Sequence, residues 1–163
     1  MHRVVFLDRD GVINRLNRGS YVTSWDKFVF LEGAKEAIAK LSGSGFLVFI
    51  ITNQSAINRG LLTEAGLEVI HNNMLCEIEE ASGKIEGIYH CPHRPDEKCK
   101  CRKPETGLFE RAARDHAIDF GNSWFVGDFD SDREVAERMG LRFIRAEGDG
   151  GLAKAVEKIL SKV

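Results

Sequence analysis

The chain has 163 residues, and its 25 acidic and 23 basic side chains leave a formal net charge of -2. This length suits a single domain over residues 1–163, and 43% hydrophobic with 29% charged residues excludes a disordered or collagen-like chain. Without an excess of positive charge, we expect no binding to nucleic acid. The apolar runs are too short to cross a bilayer, and no signal-peptide pattern is evident, so we expect a cytoplasmic protein that does not bind membranes.

Short apolar runs alternate with amphipathic helical patterns along the chain. In chain order the patterns predict strand Val4–Leu7, helix Gly33–Leu41, strand Leu47–Ile51, helix Thr63–Ala81, strand Ile85–Tyr89, helix Leu108–His116, strand Trp124–Val126, helix Ser131–Met139, strand Leu141–Ile144 and helix Gly151–Leu160. Strands that alternate with helices predict an α/β fold with a doubly wound, Rossmann-like parallel sheet and helices on both faces. The compact length leaves no room for a large cap domain, and ligands bind such sheets at the carboxyl ends of the strands.

Two aspartates follow the first predicted strand directly, in the run Asp8-Arg9-Asp10-Gly11. Alternation along an extended chain sends Asp8 and Asp10 to one side and Arg9 to the other. Neighbouring carboxylates at a strand end suit Mg²⁺, which binds oxygen ligands together with substrate phosphate. Paired aspartates are also common in ordinary turns, so this run by itself does not decide between a site and a turn.

Polar side chains also follow the later strands. The second strand runs into hydrogen-bonding residues, which are either site residues or ordinary strand-end residues: Thr52, Asn53, Gln54 and Ser55. Arg102 and Lys103 are adjacent cations that suit phosphate oxygens, or else form a solvated basic pair. After the fourth strand, Asp128 offers a further carboxylate for Mg²⁺, while Asp132 is expected near a helix start and Asp130 is expected to be solvated or capping.

The cysteines indicate a second metal site. Three thiols and one imidazole, Cys91, His93, Cys99 and Cys101, provide the ligands of a closed tetrahedral structural zinc site. A bound metal would replace a hydrophobic core for a loop that has almost no apolar side chains. The alternative is a set of reduced cysteines beside a solvated histidine. We expect Cys76 to be a small core residue of its helix, and His90 to be packed or hydrogen-bonded.

The ordered set of motifs resembles the four signatures of the haloacid dehalogenase superfamily of phosphatases. The resemblance extends from Asp8 to Asp132, and the segments 8–14, 52–55 and 91–104 resemble the branch that contains the heptose bisphosphate phosphatases and the histidinol-phosphate phosphatases. The chain departs from the family pattern at Ala56 and Asn58, and at Phe129, where the family usually has lysine.

The resemblance implies a role for each matching residue. Asp8 would be the nucleophile that forms an aspartyl-phosphate, and Asp10 would be the general acid and then the general base. Catalytic Mg²⁺ would be held by the carboxylates of Asp8 and Asp128 and by the backbone carbonyl of Asp10. Thr52 and Lys103 would bind the phosphoryl group. The further substrate contacts would be Asn53, Gln54, Ser55 and Arg102.

The implied activity is magnesium-dependent hydrolysis of a small phosphorylated metabolite. The favoured substrate is D-glycero-D-manno-heptose 1,7-bisphosphate, cleaved at position 7, and the alternatives are histidinol phosphate or another small phosphate ester. A non-catalytic, zinc-stabilised binding module is an alternative of a different class, and phosphoryl transfer to a sugar instead of water is a third. Since no interface patch stands out, we expect a monomer.

Overall fold

The computed structural model describes residues 1–17 and 19–163. Its five strands form one parallel sheet of order β3-β2-β1-β4-β5. The strands are β1 Val4–Leu7, β2 Leu47–Asn53, β3 Gly87–Cys91, β4 Trp124–Gly127 and β5 Arg142–Arg145. The helices are α1 Ala34–Gly43, α2 Glu64–Glu80, α3 Gly107–Asp115, α4 Asp130–Met139 and α5 Gly151–Leu160.

The sheet is covered on both faces, as the apolar runs predict. Val5 and Leu7 of β1 pack into a core with α1, α2 and α5, whereas Val4 and Phe6 pack into a second core with α3 and α4. Every residue of β1 is buried, since each of its alternating faces has a helical layer to pack against. The predicted doubly wound fold is therefore confirmed. Among the described residues, no helix has the length and apolarity needed to span a membrane.

The sheet topology brings two loops together at its centre. From β1 the chain builds β2 and β3 on one side, then returns to place β4 and β5 on the other. Leu7 pairs with Val126, and the Asp8 N–H donates to the Val126 carbonyl at 3.0 Å. The segments that follow β1 and β4 therefore start side by side, at the position where doubly wound sheets bind their ligands.

Several sequence-based expectations differ from the structure. β2 ends at Asn53 instead of Ile51, and most other predicted elements have an end that shifts by one or two residues. The third strand covers Gly87–Cys91 instead of Ile85–Tyr89, because its register on β2 extends to the pair Asn53 and Cys91. The prediction that Cys76 is a core residue is wrong, because its thiol is exposed. The stripe of α2 that faces the core is formed by Leu67, Ile70, Met74 and Ile78, and Cys76 lies on the opposite side of the helix.

Candidate active site

A buried ion-pair cluster lies at the end of β1. The Lys103 Nζ is 3.1 Å from Asp8 Oδ1 and 2.8 Å from Asp132 Oδ1, and it donates to the Ile51 carbonyl at 3.1 Å. Burial by itself would lower the pKa of Lys103, but Asp8 and Asp132 raise it well above its usual value. Burial raises the pKa of Asp8, against the opposing charge of Lys103. Lys103 is thus a fixed ammonium between two carboxylates.

Asp132 is a site residue whose role the sequence analysis missed. It was expected only near a helix start, and it does lie in the first turn of α4. Its Oδ2 accepts hydrogen bonds from the N–H groups of Asp128 and Phe129, each at 3.1 Å, while its Oδ1 contacts Lys103. A Cβ at Gly127 would lie 2.5 Å from the Cβ of Asp132, so this close fold requires glycine. The sequence feature that could have indicated this role is a second aspartate, Asp132, four positions after Asp128.

Asp128 offers an oxygen suited to a cation. One carboxylate oxygen from each of Asp8, Asp128 and Asp132 lies within 4.8 Å of the other two. Within residues 1–17 and 19–163, no group hydrogen-bonds to the buried Asp128 Oδ1. Burial, with the charge of Asp132 adding to it, raises the pKa of Asp128 to about 6. Crowded carboxylates with an unpartnered buried oxygen fit a hard divalent cation. Asp130, by contrast, is solvated and pairs with Arg145.

Gly11 allows the loop after β1 to approach Asp128. Its φ of +89° is in the left-handed region, and a Cβ there would lie 2.0 Å from Asp128 Oδ2. Any side chain at this position would therefore displace the Asp128 carboxylate. The glycine of the Asp8–Gly11 run is explained by this contact as well as by the turn.

The Asp10 carboxyl group is held by Arg9, Asn14 and Gln54. Burial would raise the pKa of Asp10, but the charge of Arg9 and hydrogen bonds from Asn14, Arg9 and Gln54 hold it below its usual value. The Gln54 Nε2 contacts both Asp10 Oδ2 at 3.0 Å and Thr52 Oγ1 at 2.9 Å. Gln54 thereby links Asp10, which lines the cleft, to the buried hydroxyl of Thr52.

Asn53 holds the backbone of Lys103. Its Oδ1 accepts from the Lys103 N–H at 3.1 Å, and its Nδ2 donates to the Lys103 carbonyl at 3.4 Å. This pair of bonds anchors the position of Lys103 to the end of β2. The side-chain amide of Asn53, expected to contact substrate, is therefore also committed to positioning the lysine.

An open cleft of about 430 Å³ lies above these groups. Among the predicted site residues, Asp8, Asp10, Asn53, Gln54, Ser55, Arg102 and Lys103 line it. Tyr21 and Arg59, which the sequence analysis did not assign, line it too, and the Arg59 guanidinium lies 5.8 Å from the Tyr21 ring centroid. Phe129 is 48% exposed and supplies an apolar edge. The lining of the cleft thus combines carboxylates with cationic and aromatic groups.

The cysteine loop brings its four expected metal ligands together. The His93 Nδ1 is 3.3 Å from the Cys91 sulfur and 3.2 Å from the Cys101 sulfur, and Cys91 and Cys99 are 3.6 Å apart. One ligand atom from each of the four residues lies within 4.8 Å of the others, so the cluster could hold a metal ion. The expectation for His90 is confirmed, because its Nε2 is 2.8 Å from Glu64 Oε2.

Arg102 is tied to this loop at two points. Its N–H donates to the Cys99 sulfur at 3.3 Å, and its Nη1 donates to the His93 carbonyl at 3.3 Å. The next residue, Lys103, is instead anchored by Asn53. Arg102 is therefore held by the cysteine loop, whereas the neighbouring Lys103 is held by the end of β2.

Comparison with known proteins agrees with this geometry. A family model described as HAD-hydrolase-like matches residues 100–156. The D-glycero-beta-D-manno-heptose-1,7-bisphosphate 7-phosphatase of Pseudomonas putida is 38% identical over 157 residues, which cover 94% of this chain and 89% of that protein. The Haemophilus ducreyi protein of the same name is 40% identical over 147 residues, covering 86% of this chain and 80% of that protein.

A solved structure resembles the whole molecule. The D,D-heptose 1,7-bisphosphate phosphatase of B. bronchiseptica, crystallised with magnesium and phosphate, superposes with a TM-score of 0.92 at 31% identity and covers 99% of both chains. The resemblance inferred from the motifs is confirmed by these relatives. The chain belongs to the D-glycero-D-manno-heptose 1,7-bisphosphate 7-phosphatase family of the haloacid dehalogenase superfamily.

Proposed function

We propose that this protein is a magnesium-dependent phosphatase that removes the 7-phosphate of D-glycero-D-manno-heptose 1,7-bisphosphate through an aspartyl-phosphate on Asp8. The observation that carries the proposal is the convergence of Asp8, Lys103 and Asp128 at the topological switch point of the sheet. The activity named for the relatives supports the substrate. A binding module would have no use for a buried nucleophile held against a lysine.

The first half of the reaction transfers the phosphoryl group to Asp8. A carboxylate oxygen of Asp8 attacks phosphorus while Lys103 and the Thr52 hydroxyl bind the phosphoryl oxygens. The bond to the C7 oxygen breaks, and Asp10 gives its proton to that oxygen so that it leaves as an alcohol. The Asp8 carboxylate is already oriented for this attack, because its Oδ1 accepts from the Arg9 N–H at 2.8 Å and pairs with Lys103.

The second half returns the enzyme to its starting state. Asp10, now ionised, takes a proton from a water molecule, and the resulting hydroxide attacks the phosphorus of the aspartyl-phosphate. The acyl-phosphate bond breaks, which frees Asp8 and inorganic phosphate. The charge of Arg9 and the hydrogen bonds that hold the pKa of Asp10 low favour the ionised carboxylate that this half requires. In the first half, the negative charge of the bound phosphate ester would raise this pKa and favour the protonated form.

The carboxylates of Asp8 and Asp128 and the backbone carbonyl of Asp10 would hold the Mg²⁺. When bound, Mg²⁺ neutralises negative charge on the phosphoryl oxygens and on the crowded carboxylates. Asp132 has a different role in this proposal, because its oxygens are used by Lys103 and by two backbone N–H groups. It holds the lysine and the start of α4 in place.

The remaining contacts concern the rest of the substrate. Arg102 and Arg59, which both line the cleft, supply positive charge for the phosphate that is not transferred, and Ser55 and Gln54 offer hydrogen bonds to sugar hydroxyls. The half-exposed Phe129 ring offers an apolar surface to the carbon face of the sugar.

Phosphate release from a substrate panel tests this proposal. The panel contains both anomers of the heptose 1,7-bisphosphate, histidinol phosphate and 4-nitrophenyl phosphate, each with and without Mg²⁺. We expect loss of the C7 phosphate, a strict need for Mg²⁺, and a kcat/KM for the heptose ester at least about tenfold above that for histidinol phosphate. The reverse preference would support the histidinol-phosphate alternative, and no release above buffer would support a binding module.

We further propose that Cys91, His93, Cys99 and Cys101 bind one structural Zn²⁺, whose removal affects Arg102 more than Lys103. Elemental analysis should find about one zinc per chain. After removal of zinc by a chelator and restoration of Mg²⁺, we expect KM to rise roughly tenfold, the cost of one charge-assisted contact, with kcat changed less than about threefold. The physical reason is that Arg102 is tied to Cys99 and His93, whereas Lys103 is held by Asn53.

Cys76 provides the matched control, since it is an exposed cysteine outside the cluster. Replacing Cys76 by serine should change neither the zinc content nor KM, whereas replacing Cys99 by serine should change both. A metal-free protein with unchanged KM would show that the cluster is not a zinc site that supports Arg102.

A further inference from the structure

Arg9 is a buried cation that the proposed reaction leaves without a role. It is the largest side chain in the described part of the chain with less than 2% exposure. Its Nη2 and Nε donate to Asp10 Oδ1 at 2.9 and 3.3 Å. Its guanidinium carbon lies 5.7 Å from the centroid of the Phe28 ring. Burying a guanidinium is costly unless its donors are satisfied, so its partners define what it does.

The third partner of Arg9 comes from a helix distant in sequence. The Arg9 Nη1 is 3.1 Å from the Nε2 of His71, a buried residue on the core-facing side of α2. A guanidinium has only donors, so the His71 Nε2 must be the unprotonated acceptor. Burial, together with the nearby charges of Arg9 and His90, lowers the pKa of His71 to about 3, which keeps the ring neutral. The ring therefore fixes the rotation of the guanidinium.

The two carboxylate oxygens of Asp10 accept hydrogen bonds from different donors. Oδ1 accepts from Arg9 Nε, from Arg9 Nη2 and, at 2.8 Å, from Asn14 Nδ2. Oδ2 accepts from Gln54 Nε2 at 3.0 Å. The Asp10 side chain is 25% exposed and lines the cleft. Three donors fill the acceptor positions of Oδ1, so Oδ2 is the oxygen left to exchange a proton with a bound ester.

We propose that His71 and Arg9 are positioning residues that lock the Asp10 carboxyl group with Oδ2 toward the leaving-group oxygen of the substrate. His71 holds the Arg9 guanidinium in one orientation, and the guanidinium in turn holds Asp10 Oδ1 through two hydrogen bonds. The orientation of the Asp10 carboxyl plane is thereby determined by a buried residue of α2. This inference rests on the proposed function, in which Asp10 Oδ2 gives its proton to the departing oxygen and later takes one from water.

Two kinds of ester respond differently to a misplaced Asp10. An alkyl phosphate, such as the 7-phosphate of the heptose, needs a proton on its leaving oxygen, because an alkoxide is a poor leaving group. The phenolate of 4-nitrophenyl phosphate leaves without protonation. A misplaced Asp10 therefore slows the first ester and spares the second in kcat/KM, which reports the steps up to transfer of the phosphoryl group to Asp8. A loss of structure alone would lower both.

The test replaces His71 by methionine, which fills a similar volume but accepts no comparable hydrogen bond from Arg9. We expect kcat/KM for the heptose 1,7-bisphosphate to fall roughly 10- to 100-fold, and kcat/KM for 4-nitrophenyl phosphate to stay within about twofold. His71→Gln restores an acceptor for Arg9, so it should recover most of the loss. If His71→Met does not fold, His71→Leu provides the same comparison.

Met74→Ala is the control for stability, since Met74 is a buried core residue on the same face of α2. It should lower the melting temperature without changing the ratio of the two kcat/KM values. Asp10→Asn separates the two proposals. If it slows both esters equally, the proposed role of Asp10 fails and this inference fails with it. If Asp10→Asn discriminates between the esters but His71→Met does not, or if His71→Gln gives no recovery, only the positioning role is overturned.

Discussion

Replacement of Asp8 by asparagine is expected to lower kcat by roughly 10⁴-fold or more, because an amide cannot act as the nucleophile that forms the acyl-phosphate. The fold should survive the change. Asparagine retains an oxygen for the Arg9 N–H, and Lys103 keeps its contact with Asp132. Phosphate release with Mg²⁺ and the near-UV circular dichroism spectrum would check both expectations.

The same variant should be at least as stable as the wild type at pH 7 without Mg²⁺. Burial raises the pKa of Asp8 above the ordinary 3.8, so the ionised carboxylate is less favourable in the folded than in the unfolded chain. Stability is therefore lost as the pH rises above the ordinary pKa, and an uncharged side chain avoids that loss. Urea unfolding measures this. Asp26→Asn, a change at an exposed carboxylate that does not line the cleft, is the control and should alter neither turnover nor stability. Wild-type turnover by Asp8→Asn would refute the mechanism.

Replacement of Lys103 by methionine is expected to abolish turnover and to lower the free energy of unfolding by about 3–5 kcal/mol at pH 7. The variant keeps Asp8 and Asp132 buried but removes the ammonium that lies 3.1 and 2.8 Å from their oxygens. The unpaired carboxylates, rather than the loss of lysine packing, account for the large effect. Urea unfolding without Mg²⁺ measures it.

Two further measurements separate this explanation from a packing defect. The stability difference should shrink as the pH falls toward 3.8, because protonation of Asp8 removes an uncompensated charge. The double variant Lys103→Met/Asp132→Asn should regain part of the lost stability and none of the turnover. Lys154→Met, at an exposed lysine of α5, is the matched surface control. A pH-independent difference, or no recovery in the double variant, would contradict the ion-pair account.

Much of this site could be predicted because its signals are local in sequence. β1 and the first five residues of β2 are apolar at every position, and the polar residues that come next, such as Asp8 and Thr52, must lie at one edge of a parallel sheet. The cysteine cluster has ligands close together along the chain, so its spacing alone predicted the set that the structure brings within 4.8 Å.

The contacts that were missed join residues far apart in the chain. Arg9 was expected only to point away from Asp8 and Asp10, and nothing near it in sequence indicates that its partner is His71, 62 positions later. Asn53 likewise holds the backbone of Lys103 across 50 positions. Such pairs are set by how α2 and the cysteine loop pack on the sheet, which local patterns do not encode.

Cys76 is a different kind of error, because the sequence contained the information. The apolar positions Leu67, Ile70, Met74 and Ile78 define one side of α2, and a residue two positions from both Met74 and Ile78 must lie on the other. The prediction relied on the tendency of cysteine to be buried, when helical periodicity was the stronger argument.

The different supports of Arg102 and Lys103 have an evolutionary consequence. In the proposed reaction, the groups that break the bond are held by the central strands, with Lys103 anchored to Asn53 of β2, whereas the Arg102 guanidinium that faces the rest of the substrate is held by the cysteine loop. Insertions or exchanges in that loop can alter which ester is accepted without touching the groups that cleave it. The preference for one phosphate ester over another can therefore change in this fold while the chemical reaction stays the same.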